Sequence, residues 1–198
     1  MRILSCQLQV GKVLGSAFIL TACLAGSMAT NVFPQGQEAS EYQVKAAFLY
    51  NFTKFVEWPP DTFRQVSDPM TICVFGDDPF GPLLDDAVRG KSIGPHKMLI
   101  RRFQAAQSAK GCQIAFISAS ERKRLPPVIT TLGGVGVLTV GETEGFAAMG
   151  GAINFVLEEG RVHFEVNVGA AERAGLKISS KLLSLAIIVK ELNDGRKS

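Results

Sequence analysis

His96 and His163 are the only histidines in the chain, so imidazole general-base or imidazole–metal chemistry would have to run through them. His96 sits in a Gly94-Pro95-His96-Lys97 turn ahead of a strand, and His163 on the polar face of an alternating Arg161–Val166 segment. No H-E-x-x-H or C-x-x-C spacing occurs, and no serine is read as a nucleophile elbow. Both histidines therefore read as surface side chains. Gly133-Gly134-Val135-Gly136 and Met149-Gly150-Gly151 lack the spacing of a phosphate-binding loop and read as turns. Arg122-Lys123-Arg124 reads as the solvated face of a helix.

Asp77-Asp78 carries more chemical promise. The pair follows the apolar run Met70–Phe75 and so falls at the carboxyl end of a strand, where open α/β sheets bind ligands. Receiver-type phosphotransfer places an Mg²⁺-binding acid pair there, and also needs an acceptor aspartate at the end of the third strand. Here that strand ends Phe116-Ile117-Ser118, with no carboxylate, so the nucleophile is lacking. Asp77, Asp78 and Ser118 remain a candidate crevice for a small ligand. The structural alternative is that Asp-Asp-Pro caps the following helix and complements its dipole. These residues point to a non-enzyme and call for no cofactor and no metal.

Cys73 and Cys112 are the other reactive pair, and their state depends on the compartment. Arg2 and Lys12 form a basic start without acidic residues, Val13–Ala25 is apolar, and Ser27-Met28-Ala29 is a small-x-small cleavage site. Residues 1–29 thus read as a signal peptide, with an apolar run short of the roughly 20 residues a membrane span needs. Leu20-Thr21-Ala22-Cys23 also has the form of a lipobox, which would make Cys23 a lipid anchor. The apolar run continues past it, and cleavage after Ala29 is the preferred reading. Removing Arg2 and Lys12 lowers the formal net charge from +3 to +1, which leaves no electrostatic case for nucleic acid. Outside the cytoplasm an isolated cysteine pair usually forms a disulfide, and closing this loop would contribute about 4 kcal/mol in the chain-entropy model. Two buried free thiols in strands are the alternative.

The elements that position these residues follow from periodicity. Residues 30–39 read as a flexible leader. Ser40-Glu41-Tyr42-Gln43 has the form of a capping box, opening a helix whose apolar side is Val44, Ala47, Phe48, Phe52, Phe55 and Val56 and which Trp58-Pro59-Pro60 stops. Strands are expected over 70–75, 97–103, 112–118 and 135–140, with helices near 80–88 and 120–132 and a helical turn near 142–148. Segments 152–157 and 161–167 flank Glu158-Glu159-Gly160, a hairpin signature. A long final helix is expected over 169–192, with Leu176, Ile178, Leu182, Leu183, Leu185, Ala186 and Val189 on its apolar side. Strands alternating with helices predict an α/β domain over 40–198. It would be three-layered, with a mostly parallel Rossmann-like or flavodoxin-like sheet, a C-terminal antiparallel hairpin and the long last helix.

Taken together the motifs carry a resemblance. Glu41–Pro59 (EYQVKAAFLYNFTKFVEWP), Cys73–Gly81 (CVFGDDPFG) and Cys112–Ser118 (CQIAFIS) follow one another in a family's order. So do Leu138-Thr139-Val140, Gly145-Phe146, Gly150-Gly151, Phe164–Asn167 and Ala170–Leu185. The chain resembles the YfiR-like family of periplasmic regulators over essentially all of its expected mature part. The resemblance implies regulation by binding: repression of a membrane-bound diguanylate cyclase through that enzyme's periplasmic region, with an outer-membrane lipoprotein able to sequester the repressor. It also implies that Cys73 and Cys112 match a cysteine pair of the family. A second pair that some relatives carry around Gly145–Asn154 is missing here. Tyr50 and Trp58, beside the first helix, are candidate partner contacts, with core packing as their alternative. A homodimer is compatible with this reading. The competing function is a periplasmic small-ligand sensor or carrier feeding a sensor kinase or transporter.

Overall fold

The computed structural model describes residues 35–104, 110–134 and 136–191. The expected signal peptide, its cleavage site, Cys23 and the first half of the leader lie outside the described residues. Sixteen elements follow in chain order. They are α1 (Gln35–Phe55), β1 (Val56–Glu57), β2 (Met70–Phe75), α2 (Pro82–Val88), β3 (Ser92–Ile93), β4 (His96–Phe103), β5 (Ile114–Ile117), a 3₁₀ helix (Ala119–Arg124) and α3 (Leu125–Leu132). After these come β6 (Leu138–Gly141), β7 (Ile153–Glu158), β8 (Arg161–Val166), α4 (Val168–Arg173), β9 (Lys177–Ile178), α5 (Ser180–Leu183) and β10 (Ile187–Ile188).

An eight-stranded sheet in the order β10-β8-β7-β6-β5-β2-β4-β3 forms the centre. Its middle five strands, β4-β2-β5-β6-β7, are parallel, with registers such as Ile72↔Ile100 and Ile72↔Ile114. The chain passes from β2 to β4 on one side and returns to β5 on the other, so the strand order reverses beside β2. β7 and β8 pair antiparallel across a tight turn at Glu159 and Gly160, both at positive φ.

β2 and β5 are buried along their whole length, as strands covered on both faces must be. Alternate side chains enter two separate cores. Ile72, Val74, Ile114 and Phe116 pack with Leu49 and Phe52 of α1 and Leu84 and Val88 of α2. Cys73, Phe75, Ala115 and Ile117 pack on the opposite face with Leu125, Val128, Ile129 and Leu132 of α3. The described helices therefore cover both faces. The expected single helix over 120–132 is divided, because Pro126 and Pro127 lack the N–H that a helix interior needs and are tolerated in the first turn of α3.

Three expectations are corrected. First, α1 begins at Gln35, so Ser40 is no N-cap and the second half of the leader is helical. The residues ahead of Ser40 include Gln, Glu and Ala, which favour helix, and no proline interrupts them after Pro34. Second, the buried face of α1 is Lys45, Ala46, Leu49, Phe52 and Thr53, while Val44 and Ala47 are exposed. The expected stripe was displaced because two of its true members, Lys45 and Thr53, are polar. Third, the long final helix does not form. Gly175, at φ 73, ends α4 with a Schellman pair of bonds, Leu176 N–H to Ala171 O and Gly175 N–H to Glu172 O, each 2.9 Å. Ile178 then pairs with Val56 in a two-stranded antiparallel sheet, and the Ser179 hydroxyl accepts from Leu182 N–H to start α5.

Candidate functional site

Asp77, Asp78 and Ser118 lie at the carboxyl edge of the sheet, where the chain itself engages the Asp78 carboxylate, the Ser118 hydroxyl and the Asp77 N–H, while the Asp77 carboxylate is exposed. Asp77 N–H donates to Ser120 Oγ at 3.0 Å. Asp78 Oδ1 accepts from Phe80 N–H at 2.8 Å, an Asx-type turn into α2, and its Oδ2 accepts from Arg102 Nε at 2.6 Å. Arg102 reaches on to Asp85 Oδ2 at 2.5 Å and the Gly81 carbonyl at 3.0 Å. The hydrogen bond to Asp85 raises the guanidinium pKa against an opposing pull from partial burial, and Asp78 adds to the rise. Ser118 is buried and caps the 3₁₀ helix, its hydroxyl accepting from Ser120 N–H. Among the described residues no three His, Cys, Asp or Glu side chains are grouped to hold a metal ion.

The same edge contains a charged cluster that the sequence reading missed. Glu142 directly follows β6, and its side chain is 4% exposed. Lys45 of α1, 6% exposed, places Nζ 2.9 Å from Glu142 Oε2 and 2.5 Å from Glu41 Oε1. Tyr42 Oη donates to Glu142 Oε2 at 3.2 Å, and Ala119 N–H donates to Oε1 at 3.2 Å. This ties α1 to the ends of β5 and β6. The legible signal was the i,i+4 spacing of Glu41 and Lys45. The partner 97 positions away was not legible.

Cys73 and Cys112 form a disulfide with Cα atoms 5.8 Å apart. It fastens the central strand β2 to the residues just before β5, closing a loop that contains α2, β3 and β4. Both sulfurs are buried.

The two candidate contact aromatics lie in different neighbourhoods. Tyr50 is half-buried and lines a groove of about 460 Å³ between α1 and α2. Its ring is flanked by Lys54 Nζ at 4.1 Å and Lys91 Nζ at 4.2 Å from the centroid, both lysines being exposed. Trp58 packs on the α1-side core and donates Nε1–H to the Gln113 carbonyl at 3.4 Å, so it serves packing. His96 is pinned by Nδ1 to the Asp68 carbonyl at 2.7 Å and stacks on Phe63, while His163 is exposed on the hairpin. Gly90-Lys91-Ser92-Ile93-Gly94 does have the G-x-S-x-G form. Ser92, however, opens β3, antiparallel to β4, and not the sharp strand-to-helix turn that exposes a nucleophile.

The geometry defines a doubly wound α/β domain in which Asp78, Asp85 and Glu142 at the carboxyl edge are held in internal ion pairs. A crystal structure of a conserved domain protein from Vibrio cholerae O1 biovar El Tor strain N16961 shares this fold. Its TM-score is 0.52 at 12% identity, with 75% of this chain and 60% of that one covered. The chain thus spans about 60% of the length of that structure. No curated protein sequence matches the chain. The YfiR/HmsC-like family matches residues 42–187, and the chain belongs to that family.

Proposed function

We propose that this protein is a periplasmic repressor that holds an inner-membrane diguanylate cyclase inactive by binding the cyclase's periplasmic region. Membership of the YfiR/HmsC-like family over residues 42–187 carries the reading, since that family suggests a periplasmic regulator of cyclic-di-GMP signalling. No helix among the described residues is long and apolar enough to cross a membrane. An outer-membrane lipoprotein competing for the same protein would relieve repression.

The Tyr50 groove is the contact surface we assign. An aromatic ring held between two ammonium groups, on a rigid helix pair, suits a partner segment that brings acidic side chains around an apolar one. Repression then follows from population shift: the regulator binds the cyclase's inactive conformation more tightly than the active one, by a margin that sets the degree of inhibition. Crosslinking of a tagged copy in its native periplasm, followed by mass spectrometry, tests the partner. Recovery of an inner-membrane diguanylate cyclase supports the reading, and recovery of a sensor kinase alone overturns its output. Tyr50→Ala is expected to weaken the captured complex about thirtyfold, as loss of a buried aromatic anchor does. The exposed charge reversals Lys54→Glu and Lys91→Glu should weaken it without disturbing the fold.

A further inference from the structure

The amino-terminal edge of the sheet holds an open cavity that neither the ion-pair network nor the Tyr50 groove uses. Its volume is about 700 Å³, within the range that small-molecule sites occupy. Its walls include the start of β2 at Thr71, the outer face of β4 at Leu99 and Arg101, and Cys112-Gln113 ahead of β5. The floor is rigid. Gln113 Oε1 accepts from Thr71 N–H at 2.8 Å, both residues are buried, and the disulfide fixes Cys112 beside them.

The charge balance of the walls is distinctive. Arg64, Arg101 and Lys110 face Asp61 and Asp68. Asp68 is already engaged, its Oδ2 accepting from Arg64 N–H at 2.8 Å and Gln65 N–H at 3.0 Å. Neither Arg64 nor Arg101 has a carboxylate partner among the described residues; the Arg101 guanidinium lies over the Phe103 ring, 5.0 Å from its centroid. Two unpaired guanidiniums on one cavity are a planar, permanently charged donor set suited to an oxyanion. Leu99, 42% exposed and two residues from Arg101 on the same face of β4, and Val137 supply the apolar surface.

We propose that this cavity binds a small organic anion, a carboxylate or phosphate monoester on a compact apolar body. The guanidiniums of Arg64 and Arg101 take the oxyanion, and Leu99 and Val137 cover the apolar part. This site is separate from the Tyr50 groove and from the carboxyl-edge residues expected to form a crevice, and it does not rest on the partner reading.

Trp58 is the only tryptophan, and its Nε1–H bonds the carbonyl of Gln113, whose side chain forms the floor. Its fluorescence therefore reports occupancy. Purified protein would be titrated with phenyl phosphate, benzoate, benzylamine and inorganic phosphate, following Trp58 emission and the thermal unfolding midpoint. Saturable changes with phenyl phosphate or benzoate, and none with benzylamine, are expected, and the stronger of the two anions identifies the head group. Arg64→Gln and Arg101→Gln should each weaken binding about tenfold or more while the unliganded midpoint stays near that of the parent. No saturable change with either anion up to about 10 mM would overturn the proposal. So would equal binding of benzylamine, or anion binding that survives both arginine variants. Inorganic phosphate binding as tightly as phenyl phosphate would overturn the apolar half of the site.

Discussion

Lys45→Met is the perturbation that most directly tests how α1 is held to the sheet. Methionine keeps most of the side-chain volume and removes the ammonium from a position 2.9 Å from Glu142 Oε2. The gross attraction at that distance is about 6 kcal/mol with an effective dielectric constant near 20. Most of it offsets the desolvation of two groups that are only 6% and 4% exposed, so the net worth of the intact pair is small. Removing one partner is different, because Glu142 then stays buried without its cation. Such losses run about 3–5 kcal/mol. The lower end applies here, since Tyr42 Oη and Ala119 N–H still donate to the carboxylate. A loss of about 3 kcal/mol corresponds to a fall of roughly 6–12 °C in the unfolding midpoint of a domain this size. Thermal and urea unfolding would measure it, and the double variant Lys45→Met/Glu142→Gln should recover more than half of the loss by removing the stranded charge. A change under about 1 °C in the single variant, or a double variant as unstable as the sum of its singles, would refute the coupling.

Three further outcomes are expected. Thiol titration of denatured, unreduced mature protein should find no free Cys73 or Cys112. The paired variant Cys73→Ala/Cys112→Ala should lose about 4 kcal/mol in urea unfolding, because the bridge closes a loop of sequence separation 39. Gly151→Ala should cost about 3 kcal/mol, since a Cβ there would sit 2.0 Å from Cε1 of the fully buried Phe146. Adding Phe146→Leu should return part of that loss in calorimetry. Arg102→Gln should cost only about 1 kcal/mol, because Arg102 and Asp85 are 37% and 46% exposed and solvent screens the pair. Its guanidinium pKa is raised, so the Arg102 contribution is complete below the ordinary arginine value and fades only as pH rises through the still higher folded one. The deficit measured by urea unfolding should therefore be the same at pH 6 and pH 9.

How much was legible depended on whether the deciding interaction was local. β2 was legible to the residue, because MTICVF is a short run, apolar but for Thr71, that suits a strand covered on both faces. The run 169–192 failed for the opposite reason. Its apolar residues fit a helical spacing, but Gly175 and Ser179 are a C-terminal stop and an N-terminal start, and Ile178 is claimed by Val56 more than a hundred positions earlier. The Met149-Gly150-Gly151 stretch was read as turn chemistry. Gly151 is needed instead for the close approach of Phe146. Asp77, Asp78 and Ser118 follow strand ends, which are local features, and lie at one edge of the sheet. That Arg102 and Ser120 would occupy them was not local, and neither was the Glu142 partner of Lys45.

These ion pairs bear on what the fold is free to do. In an open α/β sheet the carboxyl edge beside the reversal of strand order is the usual place for a ligand, because strand ends diverge there and leave unpaired backbone donors. Here Asp78 and Asp85 close on Arg102, and Glu142 closes on Lys45 and on the Ala119 N–H. A ligand that engaged Asp78, Asp85 or Glu142 would have to break a charge pair, and for Lys45 and Glu142 the stranded charge would be buried. The amino edge and the α1–α2 face carry no such penalty: among the described residues Arg64 and Arg101 have no carboxylate partner, and the Lys54 and Lys91 ammoniums flank the Tyr50 ring. Recognition through the periphery, with the carboxyl edge serving as the lock that holds α1 in place, is the use of this fold that leaves the fewest buried charges unpaired.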